Sequence, residues 1–227
     1  TILTLNTLAT KGPCIICGDN MRKIFIDGGA NRGQSTYAFL EQWPEAEEYE
    51  IFMFEPNTGK PVVRGDKTTL IRKALWTHDG SITFYEKNSW SEGNTLIKEK
   101  TSREKREYFE KSIECISLSN WIKDNFSEED YIILKIDIEG AEYEVMKDMH
   151  KEDVFKYVDM FFCEIHGLKC GKSFEESIEL LEICKQNDIT PYVWNGNTFD
   201  YSKYKDRKYT EEFLEKEFDK WKKRGLK

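Results

Sequence analysis

The chain has 227 residues, of which 34 are lysine or arginine and 42 are aspartate or glutamate, for a formal net charge of -8. This length suits one domain with a proper hydrophobic core, and the interspersed, net acidic charge argues against nonspecific binding to nucleic acid or to an anionic membrane surface. No apolar run approaches the roughly 18 residues of a membrane-spanning helix, and no segment has the pattern of a signal peptide.

Residues 1–22 are predicted to be a lead-in segment, and residues 23–227 a single domain. The sequence starts at Thr1 without a methionine, which allows for a domain excised from a longer multidomain chain. Most cysteines lie in or beside apolar segments, which favours reduced thiols and a cytoplasmic protein. Cys14 and Cys17 have the spacing of half a zinc site, but no second close pair is present, so packed thiols are expected.

A strand, a glycine-bearing turn and a helix are predicted to open the domain. Residues 23–27 form an apolar run, residues 28–33 (GGANRG) the turn, and residues 34–43 the helix. This succession is typical of the first unit of a nucleotide-type cofactor fold. Gly29 would let the backbone approach a ligand, and Gly33 would let the helix pack closely on the strand.

The spacing of the turn favours S-adenosylmethionine over a dinucleotide. The sequence has D-x-G-x-x-x-G rather than G-x-G-x-x-G, with Asp27 at the end of the strand. A carboxylate there would repel a pyrophosphate, but it suits a cofactor whose ammonium group lies beside the turn. The carboxylate of that cofactor can accept backbone N–H groups at the helix start. A nicotinamide oxidoreductase is the less favoured interpretation.

An acid also ends the second predicted strand, residues 50–55 (EIFMFE), which Pro56 and Asn57 follow. An acid in this position can accept both ribose hydroxyls of an adenosine. With the two strand-end acids in register, the sequence favours a ligand role for Glu55 over that of a solvated side chain.

The remaining pattern alternates strands with helices. An abbreviated crossover is expected between residues 56 and 67, and residues 87–112 are expected to be a loop and then a solvated helix or mobile segment. Strands are predicted at residues 69–75, 82–85, 113–116, 131–138, 158–165 and 190–194. Four further helices are predicted. The first begins at a cap by Ser117 or Ser119 and ends near residue 125, and the second spans residues 140–149. The third begins at a capping box formed by Ser173 and Glu176 and ends at about residue 187, and the fourth spans residues 210–223. This alternation predicts a mostly parallel, doubly wound α/β sheet with ligands at the carboxyl ends of its strands.

Polar side chains cluster at the ends of two later strands. Asp137 and Glu139 share one strand end, and Glu164 and His166 share the next. Neighbouring strands would bring the four groups together, with His166 as the natural general base. Helix capping by the acids and a structural histidine are the simpler alternatives. A divalent metal bound by Asp137, Glu164 and His166 is chemically reasonable, and the sequence leaves it open.

The motifs DGGANRGQST, FEPN, HDGSITFY, LKIDIEGAEYEVM and CEIHG occur in the order seen in FkbM-type methyltransferases, and the chain resembles that family over about residues 23–170. The family belongs to the class I superfamily of S-adenosylmethionine-dependent methyltransferases. The resemblance implies a Rossmann-like, doubly wound, mostly parallel seven-stranded sheet and O-methylation, often of a sugar or polyketide hydroxyl.

The resemblance also implies roles for individual residues. Those expected to hold the cofactor are Asp27, Gly28, Gly29, Asn31, Gly33 and Glu55, with Ala74 and Leu75 as candidates beside the adenine. Those expected on the substrate side are Asp137, Glu164 and His166. Independently of the resemblance, Glu139 is a further candidate, and Trp90 and Trp194 lie near strand ends, where their rings could stack on a sugar or simply pack in the fold.

The expected activity is methyl transfer to a hydroxyl of a sugar or glycan. His166 would take the proton, and Asp137 or Glu164 would orient it or the hydroxyl. Two alternatives remain: a non-catalytic module of the same fold that binds a glycan or a partner, and an N-methyltransferase, whose amine acceptor has less need of a base. A small molecule or glycan is the expected partner, and the sequence does not identify the acceptor, the metal dependence or the oligomeric state.

Overall fold

The computed structural model describes residues 21–57, 65–89, 91–103, 107–194 and 201–226. The strands in this part of the chain are β1 (Lys23–Gly28), β2 (Glu50–Phe54), β3 (Thr68–Ile71), β4 (Ala74–Trp76), β5 (Gly80–Glu86), β6 (Phe109–Ser117), β7 (Tyr131–Ile136), β8 (Val158–Cys163) and β9 (Pro191–Val193). The α-helices are α1 (Gln34–Gln42), α2 (Lys98–Arg103), α3 (Leu118–Asn125), α4 (Glu142–Lys151), α5 (Phe174–Gln186) and α6 (Glu211–Lys223).

Two sheets organise the described residues. The larger has six strands in the order β3-β2-β1-β7-β8-β9, with all neighbours parallel. The smaller has three strands in the order β4-β6-β5. The predicted α/β, Rossmann-like fold is confirmed, and the main sheet has six described strands where seven were expected. The chain leaves this sheet after β3, builds the small sheet and returns at β7.

The strand predicted over residues 69–75 is two strands in two different sheets. β3 pairs with β2 in the main sheet, and β4 pairs with β6 in the small one. Arg72 and Lys73 separate them at the point where the chain changes sheets. A continuous run of strand-forming residues does not reveal such a change, because either half is compatible with an extended backbone.

The helix predicted in the second half of residues 87–112 is present as α2, but the prediction is wrong from Phe109 onward. Helix α2 is short, and the chain is extended again from Phe109, so β6 covers nine residues instead of the predicted 113–116. Along β6 every second residue is more buried than its neighbours. The more buried residues include Lys111, Ile113 and Cys115. That period of two is the pattern of a strand with one covered face, but the many charged residues hide it.

The core of the main sheet forms because β1 carries apolar side chains on both faces. Ile24 and Ile26 are fully buried in the cluster formed with α3, α4 and α5. Phe25 points to the opposite face and stacks on Phe39 of α1, with the ring centroids 4.1 Å apart. Helices on both faces leave the carboxyl ends of β1, β2, β7 and β8 as the accessible edge of the sheet.

Several local predictions are confirmed at helix ends. Ser117 caps α3 by accepting the N–H of Asn120, and Ser173 forms a capping box with Glu176 at α5. Such caps satisfy backbone N–H groups that would otherwise lack partners. The described cysteines, which are Cys115, Cys163, Cys170 and Cys184, are buried and form no disulfide, while Cys14 and Cys17 lie outside the described residues. Among the described helices, none is long and apolar enough to cross a bilayer.

Candidate active site

Residues 28–33, called the glycine turn here, connect the end of β1 to the start of α1. The N–H groups of Gly29 and Ala30 both donate to the carbonyl of Phe54, at 3.0 Å each. Gly29 has φ +74°, and a Cβ built there would overlap the backbone carbonyl of Asp137. The turn is therefore pressed against the chain that leaves β7, at a distance that only glycine allows.

The Asp27 carboxylate, at the end of β1, faces into the protein. It is 0% exposed and accepts hydrogen bonds from Ser35 Oγ at 2.5 Å and Thr36 Oγ1 at 2.7 Å. Lys135 Nζ donates to its other oxygen at 3.0 Å. This placement differs from the sequence interpretation, in which the carboxylate meets the cofactor ammonium directly, because the first turn of α1 and Lys135 occupy it instead. Asp27 thus holds the glycine turn in place from behind.

Lys135 is a buried lysine near the carboxyl end of β7. Besides the bond to Asp27, its Nζ donates to the carbonyls of Gly28 at 3.1 Å and Gly29 at 3.0 Å. Burial alone would lower the pKa of this amine, but the carboxylates of Asp27 and Asp137 outweigh it and raise the pKa above its ordinary value. The charged ammonium therefore joins β1, β7 and the glycine turn.

Glu55 follows β2 and lies beside the glycine turn. It is 4% exposed, and its two oxygens accept the N–H groups of Asn31 at 2.7 Å and Asn57 at 2.8 Å. Burial raises its pKa, against these two backbone donors, which favour the charged form. Asn31 has φ +48°, so the turn adopts an uncommon conformation to present its N–H to this carboxylate.

A cavity of about 400 Å³ opens between the glycine turn and the ends of β7 and β8. That volume lies in the range of small-molecule sites. The predicted site residues that line it are Gly29, Asn31, Glu55, Ala74, Leu75, Asp137, Glu139, Glu164 and Trp194. Asp27, Gly28, Gly33 and His166 are not among its lining residues. Trp90 lies outside the described residues.

Behind one wall of the cavity lies an acid–imidazole cluster, made of His166 with Asp137, Glu139, Glu142 and Glu164. The imidazole is 1% exposed, and its Nδ1 is 3.0 Å from Glu142 Oε1. Its Nε2 is 3.3 Å from Glu139 Oε2, 3.6 Å from Glu164 Oε1 and 3.8 Å from Asp137 Oδ1. The four groups predicted to meet at the ends of neighbouring strands are thus brought together, with Glu142 as a fifth member.

Electrostatics in the cluster favours positive charge on the imidazole. Burial alone would lower the pKa of His166, but Glu139, Glu142 and Glu164 raise it to about 10. Burial raises the pKa of Asp137 to about 7, against the opposing effect of Lys135. At neutral pH the imidazole therefore already holds a proton. The carboxylates of Asp137, Glu139 and Glu164, rather than the imidazole, line the cavity.

Residues 91–103, called the cap here, cover the cluster from the side of the small sheet. Thr95 pairs with Tyr85 of β5 and donates its Oγ1 to the carbonyl of Glu139 at 2.6 Å. Lys100 of α2 is 1% exposed and donates to the Glu139 carboxylate. The prediction that this helix is solvated is therefore wrong at Lys100, whose ammonium group is buried and pairs with Glu139.

Trp194 lies at the cavity wall with little exposure. The ring is 2% exposed, and Lys135 Nζ lies 5.4 Å from its centroid. This cation–π contact ties the tryptophan to the buried lysine. The stacking of Trp194 on a sugar ring stays a prediction, and its position in the cavity lining is compatible with that role.

Comparison with known proteins bears on what this cavity does. The family model for the methyltransferase FkbM domain matches residues 27–188, from the end of β1 to just beyond α5. The chain belongs to the FkbM methyltransferase family. No curated protein and no solved structure matches the chain.

The matched residues of this FkbM domain include the glycine turn, Glu55, the acid–imidazole cluster and the cap. Membership makes the protein a methyltransferase, for which S-adenosylmethionine is the general methyl donor. Three residues that bind the site together have no role in the sequence prediction: Lys135, Glu142 and Lys100. Of these, only Lys135 carries a signal, because a lysine inside the apolar run YIILKI requires a buried partner.

Proposed function

We propose that this protein is an S-adenosylmethionine-dependent O-methyltransferase that acts on a hydroxyl of a sugar or glycan. The observation that supports this most is the cavity itself, which runs from a backbone turn suited to a cofactor to a wall of carboxylates suited to a hydroxyl. The glycine turn and Glu55 would hold the cofactor. Asp137 and Glu164 would receive the acceptor.

The reaction is an in-line displacement. The acceptor oxygen bonds to the methyl carbon while the carbon–sulfur bond breaks, and its electron pair stays on the sulfur of S-adenosylhomocysteine. The hydroxyl proton passes to a carboxylate at the cavity wall, Asp137 or Glu164. The donor is already activated, so the protein mainly aligns the two reactants, and transfer of the proton during attack contributes about 10²–10⁴-fold.

The acid-lined cavity also bears on the class of acceptor. Five of its lining side chains are carboxylic acids and two are lysines, Lys135 and Lys169; the acids are Glu55, Glu92, Asp137, Glu139 and Glu164. This balance suits the cationic donor and a neutral polyhydroxyl acceptor, and it disfavours an acceptor that carries phosphate or carboxylate. A neutral sugar meets these requirements.

Glu55→Gln should weaken S-adenosylmethionine binding at least about tenfold, because a carboxylate that accepts ribose hydroxyls is worth about 1.5 kcal/mol or more. Isothermal titration calorimetry of the full chain measures this. Glu92→Gln is the matched control, since Glu92 is an exposed acid on the wall of the same cavity. Equal affinity in the Glu55 variant and the unmodified protein would contradict the ribose contact.

The same titration separates the proposal from its main rival. A non-catalytic module that has lost the cofactor would show no binding of S-adenosylmethionine by the unmodified protein. Incubation with labelled S-adenosylmethionine and a panel of neutral glycans and amines, followed by mass spectrometry, then identifies the acceptor. A product methylated on nitrogen would replace the O-methyltransferase proposal with an N-methyltransferase.

His166 is proposed as a positioning residue, because the buried imidazole lies behind the carboxylates that would meet the acceptor. His166→Gln should keep cofactor affinity within about twofold and lower turnover about 10²-fold, because the carboxylates that meet the acceptor lose their fixed positions. Turnover is measured on the acceptor found in the panel, and thermal denaturation checks that the variant folds. His150→Gln, at an exposed histidine on α4, is the control. Near-normal turnover in the His166 variant would refute the role.

A further inference from the structure

The acid–imidazole cluster has the geometry of a metal centre. One ligand atom each from Asp137, Glu139 and His166 lies within 4.8 Å of the other two. A cation with ligand bonds of about 2.1 Å separates adjacent ligands by about 3 Å. Nε2 is 3.3 Å from Glu139 Oε2 and 3.8 Å from Asp137 Oδ1. Lys100 also donates to Glu139 Oε2, so a cation would share this carboxylate with the Lys100 ammonium.

The buried imidazole supplies the second observation. Within the part of the chain that the structure describes, no group stands in hydrogen-bond geometry to His166 Nε2, although the side chain is 1% exposed and aimed at the carboxylates. The opposite nitrogen, Nδ1, is held by Glu142 at 3.0 Å. A carboxylate behind the imidazole of a metal ligand is the usual arrangement in proteins, because it fixes the ring and raises its basicity.

The Glu142 carboxylate behind the imidazole is itself held in place by backbone hydrogen bonds. It is 0% exposed, accepts the backbone N–H of His166 at 2.9 Å and accepts that of Gly140 at 2.8 Å. Glu139 has φ +57°, an unusual backbone conformation for this residue type, and Thr95 holds its carbonyl. The backbone therefore sets the positions of the groups before any ligand arrives.

The charge of the cluster matches a divalent cation. Five carboxylates lie in or beside it: Asp27, Asp137, Glu139, Glu142 and Glu164. Three lysines contact them: Lys100, Lys135 and Lys169. With the imidazole protonated, one negative charge remains uncompensated; a metal binds the neutral imidazole and displaces that proton, which leaves two. One divalent cation would neutralise them.

We propose that Asp137, Glu139 and Nε2 of His166 bind one divalent cation that accepts both oxygen and nitrogen ligands, of which Mn²⁺ is the representative. Asp137 and Glu139 line the cavity, so the open coordination positions face the acceptor side. For methyl transfer, and therefore resting on the proposed function, the cation would bind the acceptor oxygen and lower the pKa of its hydroxyl. Glu164 remains to take the proton.

The test is a calorimetric titration of Mn²⁺ into the chelator-treated full chain in the absence of S-adenosylmethionine, with loss of the free Mn²⁺ electron paramagnetic resonance signal as a second readout. Saturable binding at a single site is expected. Asp137→Asn and His166→Gln should each weaken it at least about tenfold. Glu92→Gln is the matched control, because it removes the same charge from the same cavity outside the cluster.

Absence of saturable Mn²⁺ binding by the unmodified protein would overturn the inference. The inference would also be overturned if the Asp137 and His166 variants both bound Mn²⁺ as tightly as the unmodified protein. Circular dichroism of each variant shows whether a loss of binding reflects a loss of fold. Mn²⁺ binding without S-adenosylmethionine binding would leave the metal site standing and refute the proposed function. Binding of S-adenosylmethionine without binding of Mn²⁺ would refute the metal site and leave the proposed function standing.

Discussion

Lys135→Met should lower the free energy of unfolding by about 3–5 kcal/mol, because removal of one partner from a buried ion pair leaves the other charge uncompensated. Asp27 is 0% exposed and, among the described residues, would keep the hydroxyls of Ser35 and Thr36 as its hydrogen-bond partners. The carbonyls of Gly28 and Gly29 would lose their Lys135 donor as well. Urea denaturation with linear extrapolation measures the change, and an unchanged slope shows that the unfolding transition is comparable.

Two further variants serve as comparisons for the stability of Lys135→Met. Lys216→Met removes a lysine of α6 whose ion pair with Glu212 is 72% and 75% exposed, and it should cost less than about 1 kcal/mol. Lys135→Met combined with Asp27→Asn should be more stable than Lys135→Met alone, since the uncompensated charge is then gone. A loss no greater than that of Lys216→Met would show that the buried pair does not stabilise the fold.

Gly29→Ala should lower S-adenosylmethionine affinity at least about tenfold and destabilise the protein by about 2–4 kcal/mol. The reason is the overlap of the new Cβ with the backbone carbonyl of Asp137, which cannot move without shifting the end of β7. The added strain at φ +74° acts in the same direction. Calorimetry measures the affinity, and urea denaturation measures the stability.

Gly80→Ala is the matched control for that variant. Gly80 also has a positive φ, +126°, but a Cβ there would meet no described atom within 4 Å. It therefore shares the backbone strain without the overlap, and it should bind S-adenosylmethionine with unchanged affinity. If Gly29→Ala behaves in the same way, the close approach of the glycine turn to Asp137 has no part in cofactor binding.

The sequence predicts those parts of the structure that depend on local pattern. The period-two and apolar runs locate β1, β2, β7 and β8, and the strand-end positions of Asp137, Glu164 and His166 follow because parallel neighbours end at one edge. Ser117 and Ser173 cap their helices through contacts with residues three positions away. Such features need no knowledge of distant residues.

What the sequence leaves out depends on contacts far along the chain. Asp27 was expected to face the cofactor, and its true partner, Lys135, lies 108 positions away. Lys100 looks like part of a solvated charge run, yet it reaches Glu139, 39 positions away. The divided strand at β3 and β4 has the same cause, because the partner of β4 is β6 in a separate sheet. Local patterns carry no information about which distant residue completes a pair.

The pairing of Thr95 with Tyr85 gives the cap a second attachment, to the small sheet rather than to the main one. The proposed cofactor half of the cavity is built on β1, β2 and their turns, and the cap contacts this half as well as Glu139. Asn94 donates to Asn57 Oδ1 at 2.8 Å, and Gln34 donates to Glu92 Oε1 at 3.4 Å. A graft that exchanges the loop between β5 and β6 would therefore alter both ends of the cavity together, unless it kept the contacts of Asn94 and Thr95.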